Sequence, residues 1–180
     1  RTGTYFACEQ LSNNPDIFCL SKGLTGGTMP LGVTTCNQKI FEAFLSDDKL
    51  KTLYHGHSFT ANPVACAASL ASLDILLAPA TLANIKRIEK QHRQFFKQIE
   101  NHPKVKTIRQ TGTIIAIEWQ TGDDTSYLNG LRDQLYNYFL NKGIILRPLG
   151  NIIYILPPYV ITNDDLTYIY TSIQQALDEI

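Results

Sequence analysis

The sequence has no excess of charge of either sign: Lys plus Arg number 16, and Asp plus Glu number 16. A chain without a net field has no long-range attraction for nucleic acid or anionic lipid, which leaves a small molecule or another protein as the partner to expect. Paired cysteines are also missing. Cys8, Cys19, Cys36 and Cys66 lie too far apart for a zinc or redox site, and the expectation is reduced, buried thiols in a cytoplasmic protein. No apolar run approaches the roughly 20 residues that span a bilayer. The amino terminus lacks the shape of a secretory signal, and Arg1 in place of a methionine suggests a beginning cut from something longer. Internal repeats and low-complexity tracts are absent. With 44% hydrophobic and 18% charged residues among 180, disorder is disfavoured, and one domain or two small ones around a real core are expected.

What is present centres on Asp16-Ile-Phe-Cys-Leu-Ser-Lys-Gly-Leu-Thr-Gly-Gly-Thr28. The short apolar run before Ser21, bounded by Pro15-Asp16 and Gly23, reads as a buried strand, with a helix segment as the alternative. Lys22 then stands at the strand's exit, where open α/β sheets place ligands, and Gly23, Gly26 and Gly27 allow close backbone approach. A lysine after a strand is usually a solvated side chain. The functional alternative is an amine desolvated enough to attack a carbonyl, and nothing local separates the two.

Further along, residues 31–36 read as a second strand, and Asn37 as the cap of a short helix to about residue 44. In Tyr54-His-Gly-His-Ser-Phe-Thr60 a small hydroxyl, Ser58, sits near glycine. Asn62-Pro63 then caps a helix over residues 64–77, whose alanine and leucine content implies burial. Pro79 breaks the pattern and marks the expected boundary between domains 1–78 and 79–180. Residues 81–101 read as an amphipathic helix on Leu82, Ile85, Ile88, Phe95 and Ile99. Strands are expected at 105–109, 113–119, 144–146 and 152–156, with a helix over 127–141 closed by Gly143 and a last helix capped by Thr162. The first part thus reads as a piece of an α/β layer and the second as a compact α+β unit.

The ordered set Arg1-Thr-Gly-Thr-Tyr-Phe-Ala-Cys8, Pro15-Asp16, Leu20-Ser-Lys-Gly-Leu-Thr-Gly-Gly27, His55-Gly-His-Ser-Phe59, Asn62-Pro63 and Arg147-Pro148 resembles the class III (ornithine-type) aminotransferases, which are pyridoxal 5'-phosphate enzymes of fold type I. The resemblance runs along essentially the whole chain. It implies an α/β fragment of that fold, the end of the large cofactor domain followed by the small carboxy-terminal α+β domain. It also implies a homodimer with active sites at the interface. Within the family the match is strongest to the branch that serves biotin synthesis, moving an amino group from S-adenosylmethionine to 8-amino-7-oxononanoate.

Residue by residue, the resemblance makes Lys22 the lysine that holds the cofactor's aldehyde and moves a proton between the two carbon centres. Ser58, with Gly56 and His57, falls where the family binds the phosphate of the neighbouring subunit's cofactor; an ordinary turn is the competing role. His55 and His57 have no third ligand nearby, so no metal is expected and loop hydrogen bonding is the safer reading. Arg147, after an apolar run, corresponds to the arginine that takes the keto substrate's carboxylate in its planar fork, with a structural ion pair as the alternative. Gly23 joins it on the substrate side. Tyr154 stands where many other class III enzymes carry an arginine, which favours the biotin branch over the acetylornithine and aminobutyrate branches. The family's pyridine-partner aspartate is expected just ahead of Arg1, so these residues are expected to hold the lysine without a complete active site. Two other readings stay open: a class III enzyme with different substrates, and a catalytically silent domain that dimerises or binds a ligand.

Overall fold

The computed structural model describes residues 1–122 and 124–180. They form two units: Cys8–Pro79, and Arg1–Ala7 together with Ala80–Ile180.

In the first unit β1 (Ile17–Leu20) pairs antiparallel with β2 (Val33–Cys36), Ile17 opposite Cys36 and Leu20 opposite Val33. Asn37 then caps α1 (Gln38–Phe44) by accepting from the Ile40 N–H at 3.1 Å, the device expected of an asparagine before a helix. Asn62 does the same for α2 (Pro63–Leu77), accepting from the Val64 and Ala65 N–H groups, with Pro63 in the first turn where its missing donor costs nothing.

Three expectations about burial fail in this unit. β1 alternates exposed and half-buried residues; α2 buries Ala65 but leaves Val64, Leu70 and Ile75 exposed; and Cys19 and Cys36 are exposed while Cys8 and Cys66 are half-buried. The cause is geometric. A two-stranded ribbon with short helices cannot cover both its own faces and a helix that is apolar all round.

The second unit contains α3 (Pro79–Ile99) from Ala80 onward, β3 (Val105–Thr111), β4 (Ile114–Trp119), α4 (Leu131–Asn141), β5 (Ile152–Ile155) and α5 (Asn163–Glu179). Its antiparallel sheet has the order β3-β4-β5. The register sets Ile115 against Ile155 and Ile117 against Ile153, so strand alternation sends these four isoleucines to one face. There they join Phe95 and Ile99 of α3, Leu135 and Phe139 of α4, and Ile173 and Leu177 of α5 in one core. Each such side chain contributes about 1.5 to 3 kcal/mol when fully buried. Ile85 and Ile88 are buried as expected, while Leu82 is not.

Gly143 closes α4 as expected, in a left-handed conformation (φ +72°); its N–H donates to Leu140 and that of Ile144 to Phe139, both at 2.9 Å. That closure is why residues 144–146 are not the expected strand: the Ile144 donor is already used by the helix end. Thr162 caps α5 in a reciprocal box with Asp165.

The first residues lie against the turn between β3 and β4. The Thr113 N–H and hydroxyl both donate to the Arg1 carbonyl, at 2.9 and 3.1 Å. Gly112 has φ +55°, and a Cβ there would stand 2.3 Å from the Thr2 carbonyl carbon. The Arg1 guanidinium donates to the Pro157 carbonyl at 2.9 Å.

Candidate active site

Lys22 opens a single 3-10 turn, Lys22–Thr25, immediately after β1 and Ser21. Its backbone is left-handed at φ +51°, a conformation uncommon for a residue with a side chain and one that persists only where surroundings enforce it. The enforcement is visible. Thr25 is buried, its hydroxyl donates to the Met29 carbonyl at 2.6 Å, and the Thr28 hydroxyl returns to the Thr25 carbonyl at 2.7 Å. Gly26 and Gly27 follow at φ +62° and +85° and turn the chain sharply. The loop is tied to α2 where the Ser72 hydroxyl donates to the Gly23 carbonyl at 3.4 Å. Lys22 itself is exposed, so the described residues do not supply the desolvation that an amine attacking a carbonyl calls for.

Ser58 lies in an exposed turn that leads into the amino end of the same helix. The Thr60 N–H donates to the His57 carbonyl, the His57 N–H to the Thr60 hydroxyl, and the Phe59 N–H to His57 Nδ1, all within 3.0 to 3.1 Å. His57 is therefore a loop-forming residue. Ala61, at φ +55°, adds a second left-handed position before Asn62. α2 thus carries both pieces, the Lys22 loop on its flank and the Ser58 turn at its start. Among the described residues no group of three or more His, Cys, Asp or Glu side chains is placed to hold a metal ion.

In the other unit Arg147 and Tyr154 line one groove of 510 Å³. Arg147 is exposed on the extended run that follows Gly143, and Tyr154 is half-buried on the sheet face opposite the core. The remaining wall is largely apolar, with Ile144, Leu146, Pro157 and Ile161 among its residues and Asp165 at one side. A guanidinium beside an apolar trough suits a carboxylate carried on a hydrocarbon chain. The sequence reading did not reach Ile161 or Asp165, because their approach to Arg147 depends on how α5 packs.

A family sequence profile described as aminotransferase class-III matches residues 1–177. The chain belongs to the class III aminotransferase family. Among similar class III enzymes, the adenosylmethionine-8-amino-7-oxononanoate aminotransferase of Synechococcus elongatus is 42% identical over 180 residues, covering 100% of this chain and 42% of that protein. Its counterpart from Geobacter sulfurreducens is 35% identical, covering 98% of this chain and 40% of that protein. Among solved structures, the enzyme of the same name from Methanocaldococcus jannaschii superposes with a TM-score of 0.87 at 32% identity, over 99% of this chain and 43% of that one. An amine transaminase from an uncultivated Pseudomonas species, in its pyridoxal phosphate-bound form, gives a TM-score of 0.85 at 29% identity. The chain therefore spans 42% of the length of the Synechococcus relative.

Membership in this family implies pyridoxal 5'-phosphate, and the side chains present fit parts of it. A solvent-facing amine on a constrained loop can hold an aldehyde, and an exposed hydroxyl beside glycine can donate to a phosphate oxygen. The α2 N–H groups of Val64 and Ala65 are taken by Asn62, and the His57, Phe59 and Thr60 N–H groups are used within the loop.

Proposed function

We propose that the full-length protein carrying these residues is a homodimeric, pyridoxal phosphate-dependent aminotransferase of biotin synthesis, transferring an amino group from S-adenosylmethionine to 8-amino-7-oxononanoate. Residues 1–78 belong to its large cofactor domain and residues 79–180 to its small domain. The observation that carries the reading is Lys22, held left-handed at φ +51° on a braced loop in a class III chain. Strain of this kind, worth about 1 to 3 kcal/mol, gathers where a side chain must be aimed.

The cofactor, once bound, supplies the electron sink that lets an amino group move between carbons. This chain's residues supply the rest. The Lys22 Nζ would hold the cofactor's aldehyde, and as a free amine it would take and return a proton at the substrate carbon. Ser58 Oγ, beside Gly56, would donate to the phosphate of the partner subunit's cofactor, while His57 holds the shape of the turn. Gly23 leaves the substrate side of Lys22 open, and a Cβ built there meets no atom within 4 Å. Arg147 receives the acceptor's carboxylate, Tyr154 closes the groove where an arginine would draw a second carboxylate, and the apolar wall excludes water from the chain between.

Reduction of the cofactor-loaded full-length protein with borohydride, followed by peptide mapping, tests the lysine. The pyridoxyl mass is expected on Lys22, and its recovery on another lysine refutes the assignment. Transfer to 8-amino-7-oxononanoate from S-adenosylmethionine, assayed beside acetylornithine and simple amines as donors, tests the branch.

A further inference from the structure

The groove that holds Arg147 and Tyr154 is bounded on one side by the segment from Pro157 through Ile161 into α5. This segment has no ladder of its own. It leaves β5 through two prolines, turns once with the Ile161 N–H donating to the Pro158 carbonyl at 3.1 Å, and enters α5. Its far end is held from α3. The Arg87 guanidinium donates through Nη2 to the Ile161 carbonyl, through Nη1 to Asn163 Oδ1 at 2.6 Å, and through Nε to Asn84 Oδ1 at 3.3 Å. Gln91 donates to the same Asn163 oxygen at 2.8 Å. Arg87 has no described ion pair with a carboxylate; the contacts it makes are with neutral oxygens at the point where the wall turns.

A structural arginine on a surface helix usually pairs with a carboxylate one turn away, as Arg93 does with Glu89 at 3.0 Å. Arg87 instead spreads its planar fork over a main-chain carbonyl and a side-chain amide 74 and 76 residues away. We infer that Arg87 is a positioning residue for substrate specificity: it fixes the Ile161 wall so that the groove accepts the apolar chain of the carboxylate bound by Arg147. The inference rests on that role for Arg147. A lysine cannot reproduce it in full, because a single ammonium lacks the fixed geometry that serves Ile161 and Asn163 together. A misplaced wall weakens acceptor binding in ground state and transition state alike, so it raises KM and spares kcat.

The test uses the cofactor-loaded full-length enzyme with 8-amino-7-oxononanoate as acceptor. Arg87→Ala is expected to raise the acceptor KM about tenfold with kcat within about twofold, since losing apolar contact with about one methylene of the acceptor's chain costs at least one power of ten. Arg87→Lys should recover part of the loss. Asn163→Ala, which removes one acceptor and leaves the charge, should shift KM in the same direction and serves if the alanine variant of Arg87 folds poorly. Thermal midpoints of all variants separate misfolding from misplacement. An unchanged acceptor KM in both Arg87→Ala and Asn163→Ala, beside a raised KM in Arg147→Ala, overturns the inference and leaves the Arg147 assignment standing. A fall in kcat and thermal midpoint without a KM effect makes Arg87 a purely structural residue and also overturns it. If Arg147→Ala itself leaves the acceptor KM unchanged, the assignment beneath the inference has failed.

Discussion

His92 is fully buried on α3, between the Thr113 carbonyl at 3.1 Å from Nε2 and the Tyr170 hydroxyl at 2.7 Å from Nδ1. A carbonyl only accepts, so Nε2 carries the proton, Nδ1 is bare, and the tyrosine donates to it. The ring is neutral. Burial lowers its pKa from 6.5 to about 4, opposed in part by the Thr113 hydrogen bond. Between those two values the unfolded chain binds more protons than the folded one, so stability rises with pH. The contribution is complete above the unfolded pKa near 6.5 and is lost as pH falls towards the folded value. At about 1.36 kcal/mol per unit, the full loss is on the order of 3 kcal/mol, of which about 2 is gone by pH 5.

Urea unfolding of the chain at a series of pH values reads this directly, with fluorescence of the buried single tryptophan, Trp119, as the signal. Other groups titrate in the same range, so the quantity that matters is the difference between the wild-type slope and that of His92→Leu. The variant should be less stable at pH 7.5, because it strands the Tyr170 hydroxyl and the Thr113 carbonyl, and should lose the extra slope between pH 4 and 6.5. Parallel pH profiles for the two proteins refute the neutral buried ring. So does a nuclear magnetic resonance titration that places His92 near the value of an exposed histidine.

Gly112→Ala should destabilise the carboxy-terminal unit by about 2 to 4 kcal/mol, since its φ of +55° is unfavourable for alanine and its new Cβ meets backbone on Thr2 and Gly3; an unchanged thermal midpoint contradicts the packing. Gly143→Ala, with a left-handed φ but open space around it, isolates the conformational term and should cost about 1 kcal/mol. Mixing full-length Lys22→Ala with a variant carrying a bulky residue at Ser58 should restore activity in heterodimers, because one site then collects both defects; no recovery despite demonstrated heterodimers places Ser58 within its own subunit's site. Arg147→Lys keeps charge and loses the fork, and should weaken single-turnover acceptor binding by about 1.5 to 3 kcal/mol, one to two powers of ten; equal affinity removes Arg147 from the substrate site.

The parts of this fold that were legible in the sequence are those governed by neighbours along the chain. Asn37, Asn62 and Thr162 announce three helix starts because a cap satisfies N–H groups two or three residues away, and Gly143 announces a helix end for the same local reason. Ile115, Ile117, Ile153 and Ile155 announce a half-buried sheet through alternation. What misled was burial inferred from composition alone. An apolar run such as Ile17–Leu20 or the alanine-rich α2 states that surface should be covered, not which chain covers it.

The site divides along the same line. Lys22, Ser58, Arg147 and Tyr154 could be named because each sits in a short motif whose order resembles a family, and the shared groove of Arg147 and Tyr154 brings two of them together. His92, Thr113 and Tyr170 carried no such signal: 21 residues separate the first two and 78 separate His92 from Tyr170, and each alone passes for an ordinary polar residue on a helix or turn. Arg87 is harder still. Read along α3 it lies in a helix of mixed charge, and its role follows only from the carbonyl it reaches on Ile161. Residues that act on a ligand leave a mark in the motif around them, whereas residues that hold the acting ones leave a mark only in the partners the fold supplies. The variants of Arg87 and His92 therefore probe interactions to which a motif comparison is blind, and a KM effect at the first with a pH-slope effect at the second separates support of the groove from support of the core.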